Sequence, residues 1–180
     1  MKFLVLPLIF AFTLNFCMAQ SAPRSRQGPK WDFEARDEIH ELAGRLAEQH
    51  QMTLLNSSVG DMVGSHKCNF AVSFMIRERP MTADEARPLV QELAQAFVNK
   101  VLTDPVFVRY NENEILSKGR PPAASDVGFK ISFWDKNMDR PLHPYLAQVR
   151  FVEEQLLFYY ADPKTQALQS PVVEPYSPQE

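Results

Sequence analysis

Cysteine is nearly absent from this sequence: Cys17 and Cys68 are the only two in 180 residues. Cys17 lies in an apolar leader, so cleavage of that leader leaves Cys68 solitary and no internal disulfide can form. In an oxidising compartment such a cysteine is buried, paired between chains, or reactive. Glycine is scarce too, with six residues. Neither a phosphate-binding loop nor a dinucleotide fingerprint occurs, and G-x-S-x-G and H-E-x-x-H are both missing. A basic excess is lacking as well. The formal net charge is −3, and removal of residues 1–19 takes one lysine and no acid, giving −4. Mild acidity argues against a nucleic-acid footprint, which needs clustered basic residues. No segment beyond the leader is long and apolar enough for a membrane span of about 20 residues.

What the chain does have begins with "MKFLVLPLIFAFTLNFCMAQSAP". Lys2 is a minimal positive start, and Phe3 to Phe16 form an apolar run of about 14 residues, the length of a secretory core. Small residues permit cleavage after Ala19 or Ser21, so the expectation is export to the periplasm or the extracellular space. A rival reading acylates and keeps Cys17, giving a lipidated structural protein of the envelope. Phe16, bulky and immediately before the cysteine, argues against it.

Residues 1–19 are thus read as a signal peptide, 20–30 as a flexible linker, 31–162 as one domain and 163–180 as a proline-rich extended tail. About 160 mature residues suit a single domain that buries roughly 68–70% of its unfolded surface. A helix is expected from Asp32, with Ala35, Ile39, Leu42, Ala43 and Leu46 on one face. "LLNSSVGDMVG" (54–64) reads as a loop or irregular strand, and Asn56-Ser57-Ser58 matches a glycosylation sequon. Phe70, Val72, Phe74 and Ile76 alternate as a half-buried strand.

Thr82-Ala83-Asp84-Glu85 is a capping box. It opens a helix with Leu89, Val90, Leu93, Phe97 and Val101 on its apolar stripe and a kink or late start at Pro88. Residues 105–126 look least ordered, with a short extended piece at 106–110. Strands over 127–133, 145–151 and 156–160 follow as an antiparallel meander. The resulting expectation is an α+β two-layer sandwich. It has four mainly antiparallel strands, two helices on one face, and the order α-β-α-β-β-β.

Chemistry is thinly signposted. Asp135, Asn137 and Asp139 match the start of a calcium loop, but Arg140 stands where glycine is needed and Leu146 where glutamate is needed. A turn stabilised by its own side chains explains them. In "GSHKCNF" (64–70), His66 and Cys68 share the parity of Phe70 and Val72, which turns both toward the core. Their Cα atoms would lie roughly 6.5–7 Å apart on an extended strand, and zinc would need further ligands that the sequence does not nominate. A hydrolase or metal-dependent enzyme built on His66, Cys68 and Asp61 is therefore the second reading. Neither a metal nor a cofactor is expected.

The sheet face opposite the apolar set carries Arg77, Lys130, Trp134, Arg150 and Tyr159. Cationic and aromatic groups together suit a protein, peptide or glycan partner, although a solvated antiparallel face has a similar composition. The leading expectation is a non-catalytic, exported binding module that uses those five residues.

Overall fold

In the computed structural model, which describes residues 30–113 and 119–177, the chain is α+β with three helices and a six-stranded mixed sheet. The signal peptide and all but one residue of the linker fall outside the described residues. Helix α1 (Lys30–Gln49) leads into the hairpin β1 (Thr53–Val63) and β2 (His66–Arg77). Then come α2 (Ala83–Thr103) and α3 (Pro105–Asn113), followed by β3 (Val127–Trp134), β4 (Gln148–Val152), β5 (Gln155–Tyr159) and β6 (Val172–Pro175). Sheet order equals chain order, and every neighbouring pair is antiparallel except β2 and β3.

The capping box is formed. The Glu85 amide donates to Thr82 Oγ1 at 3.4 Å, and the Thr82 amide donates to Glu85 Oε2 at 2.8 Å. Such caps are worth about 1 kcal/mol. From there α2 runs through Pro88 to Thr103 without a late start, burying Leu89, Val90, Leu93, Phe97 and Val101. That stripe meets Val72, Phe74, Phe129, Ile131, Val149, Phe151, Leu156 and Phe158 in one cluster, to which α1 and α3 also contribute. Rings pack in series from Phe74 through Phe97 and Phe129 to Phe151, with centroids 5.4–6.3 Å apart. All three helices share one sheet face.

Four features differ from the sequence reading. The 54–64 stretch is a full edge strand, β1, whose serines and asparagine hide its pairing with β2. Residues 106–110 are helical, because Phe107 and Tyr110 both reach Phe70, with centroids 4.9 and 5.1 Å from its ring. The 145–151 strand starts only at Gln148, leaving Tyr145 exposed. The tail contributes β6, because Glu174 accepts two hydrogen bonds from Arg87 of α2, at 2.9 and 2.8 Å, and Tyr176 packs edge-on against Phe151. The expected four-stranded, two-helix sandwich is thus corrected to six strands and three helices.

A fifth difference concerns "GSHKCNF". Gly60, with φ +66°, falls between the Val59–Phe70 and Asp61–Cys68 pairs, and strict alternation breaks there. Asn69 and Phe70 both reach α3, the first through the Asn111 side chain and the second through Phe107 and Tyr110. Cys68 and Ala71 instead join a second cluster with Val63, Val152, Leu157 and Tyr159, which contains no helix residue. Cys68 is buried, as parity suggested, but on the other side of the sheet. Its sulfur fits only because residue 128 has no side chain. A Cβ at Gly128 would lie 2.2 Å from Cys68 Sγ and 3.0 Å from Val63 Cγ2.

Gly128→Ala is expected to cost about 1–3 kcal/mol by overpacking. The cost should shrink when Cys68→Ala is added, as read by a double-mutant cycle in urea. The Arg87 pair makes a pH prediction. Arg87 holds the Glu174 carboxyl below its ordinary value of 4.5. Its stabilising contribution is therefore complete above that pH and is lost as pH falls through the lowered folded value. Glu174→Gln should flatten the acid limb of a stability–pH curve without changing the alkaline limb.

Candidate functional site

Register fixes which side chains share the helix-free face. Direct partners across a ladder point the same way, so Ser73, Lys130, Arg150 and Leu157 form one row. Met75, Ser132, Gln148 and Tyr159 form the next, and Arg77 with Trp134 closes the end. All five residues expected at a partner surface therefore lie on one face, in two groups. Lys130, Arg150 and Tyr159 occupy its middle, while Arg77 and Trp134 stand about 13 Å along the strands from the Lys130–Arg150 row and about 6.6 Å from the Tyr159 row, at about 3.3 Å per residue.

The central group is ordered by its own contacts. Arg150 lays its guanidinium over the Tyr159 ring, 4.6 Å from the centroid, and donates from Nε to Gln148 Oε1 at 2.8 Å. Gln148 in turn donates to Ser132 Oγ at 3.1 Å. The β1–β2 turn closes over the same arginine, since a Cβ at Gly64 would sit 2.1 Å from Arg150 Nη1. Lys130 and Arg150 are directly opposed, and among the described residues neither makes an ion pair. Asp61 is the carboxylate whose field reaches Lys130. It already accepts from Ser58 Oγ and from the Met62 amide, both at 2.7 Å, and is held below the usual carboxylate range chiefly by the Ser58 bond.

Trp134 stands between two depressions. The larger, a groove of about 400 Å³, is walled by Trp134, Pro80, Pro141, Leu142 and Tyr145, with Glu78, Asp135 and Lys136 adding charge. Leu142 and Tyr145 are 44% and 40% exposed, large apolar surfaces left to solvent beside an indole. On the other flank, Arg140 sits 5.7 Å from the Trp134 ring and is braced by Nη1 donating to the Gln166 carbonyl at 2.6 Å. Sequence reading found Trp134 but missed this groove. Its walls come from "RPM" and "RPLHPY", which look like connection, and only the density of proline and apolar residues there hinted at a surface.

Two other places gather polar side chains. Asp126, 2% exposed, accepts from Asn69, Asn111, the Ala123 amide and the Arg120 guanidinium. That knot ties β2, α3 and the approach to β3 together, and the carboxylate is fully employed in structure. A groove of about 490 Å³ runs between α2 and the tail, bordered by Gln91, Gln95, Asn99 and Tyr176. It lacks any unpaired charged side chain aimed at a ligand.

The His66–Cys68 reading finds little to stand on. His66 Nδ1 lies 3.2 Å from Glu153 Oε1, and the Cys68 thiol faces the His66 carbonyl, at 3.9 Å, rather than the imidazole. Burial pushes the thiol up to about 11, the opposite of an activated nucleophile. Among the described residues no three histidine, cysteine, aspartate or glutamate side chains gather where a metal ion could bind. No described helix is long and apolar enough to cross a membrane. No family model, curated protein or solved structure matches the chain.

Cys68 should resist alkylation in the folded protein and react fully once urea unfolds it. Rapid labelling under native conditions, followed by mass spectrometry, would restore the enzyme reading.

Proposed function

We propose that this chain is an exported, non-catalytic binding module that engages its partner on the helix-free face around Trp134. The observation that carries the reading is the open groove in which Trp134, Leu142 and Tyr145 leave apolar surface in water. Apolar surface in a concave site with few polar groups is the usual make-up of a recognition surface. The nearby cations add specificity rather than bulk attraction. Export rests on the leader sequence. Retention through an acylated Cys17 remains the competing fate, and the mass of the mature N-terminus separates the two.

Peptide and glycan arrays probed with the wild-type chain, Trp134→Ala and Tyr145→Ala test the surface. Wild-type binding should fall by about tenfold or more in both variants, the scale of losing a central aromatic anchor, with thermal melts little changed. Binding that survives both substitutions, or none on either array, contradicts the proposal.

A further inference from the structure

Lys130 and Arg150 face each other directly across β3 and β4, an arrangement that costs stability when the charges are alike. No carboxylate among the described residues pairs with either. The same row continues through Ser73 on β2 to Asn56 on the edge strand β1. Four side chains that can donate hydrogen bonds thus line up across four adjacent strands, about 4.8 Å apart from one strand to the next.

The arginine is already oriented by Tyr159 and Gln148, which leaves its guanidinium fork preset for an oxyanion. A like-charge pair with no ion-pair partner among the described residues, reached by the field of Asp61 but not bonded to it, has a preset fork flanked by hydroxyl and carboxamide donors and is arranged for an anion that is not part of the chain. Strands β2, β3 and β4 are interior, with their backbones engaged in the ladders. At those three strands a ligand meets side chains alone, which excludes recognition by strand addition there. Trp134, about 13 Å along the same face, supplies a flat apolar platform, and hydroxyl-rich rings match the serine and asparagine donors.

We infer that the row of Asn56, Ser73, Lys130 and Arg150 is an oxyanion site for an acidic saccharide chain, with carboxylate or sulfate groups at the cations and a sugar ring against Trp134. This rests on the proposed partner face and specifies what that face takes.

Titration calorimetry of the full chain at low salt tests it with four probes: polygalacturonate oligomers, heparin oligosaccharides, neutral dextran and poly-glutamate. The chain is net acidic, so general electrostatics repel the polyanions and binding must be local. One of the two acidic saccharides should bind at least about tenfold tighter than dextran and poly-glutamate. Lys130→Gln should weaken it about tenfold or more while raising the melting temperature, because it relieves the like-charge pair. Arg150→Gln should weaken it as well.

Preference between the carboxylated and sulfated probes identifies the anion. Unchanged binding in Lys130→Gln, or a preference for poly-glutamate, overturns the inference. If no anion binds while array ligands still depend on Trp134, this inference fails and the partner face stands. If Trp134 dependence is missing as well, both fail.

Discussion

Strand β3 runs parallel to β2, and the layout of the molecule follows from that pairing. Parallel neighbours cannot be joined by a tight turn and need a long crossover. The chain therefore leaves β2 at Arg77 and returns at Val127 by way of α2 and α3, whose apolar faces are buried against Phe70, Phe74, Phe129 and Ile131. With α1 beside them, one side of the sheet becomes the core. The other side receives no helix, and its rows remain available for other work.

That second face is graded from dry to wet. Near the β1–β2 turn it is apolar, with Cys68, Val63 and Ala71 packed over Gly128. In the middle it carries half-buried cations and hydroxyls, and at the far end it opens into the Trp134 groove. Arg150 joins the dry and wet parts, stacking on Tyr159 and lying under Gly64 from a position directly opposite Lys130 in the ladder. A protein that needed only to be soluble would gain by replacing one of those cations with a neutral residue. Their presence on this face, half-buried and opposed, is the physical reason to propose recognition there.

Period-two and helical patterns made the central strands, α1 and α2 legible, because Phe, Val, Ile and Leu alternate cleanly in them. Strand alternation alone also groups Arg77, Lys130, Trp134, Arg150 and Tyr159 on one face. What stayed hidden was set by tertiary contacts. Strand β1 is polar because it is an edge, so its composition read as a loop or an irregular strand. The α3 helix forms where Phe107 and Tyr110 find Phe70, and β6 where Glu174 finds Arg87. The parity argument for Cys68 failed because side-chain alternation breaks between Cys68 and Phe70, opposite Gly60 with its left-handed backbone. The Trp134 groove was not legible because its walls come from segments distant in sequence, Pro80 on one side and Pro141 to Tyr145 on the other.

One sheet face holds the core, and the proposed division of labour gives the other face to the ligand. Amide chemical-shift mapping during titration with an acidic oligosaccharide tests it most directly. Perturbations should be confined to Ser73, Lys130, Trp134, Gln148, Arg150 and their ladder neighbours, with α2 unmoved. Perturbations concentrated on Gln91, Gln95, Asn99 and Tyr176 would put the ligand on the helical side and contradict it.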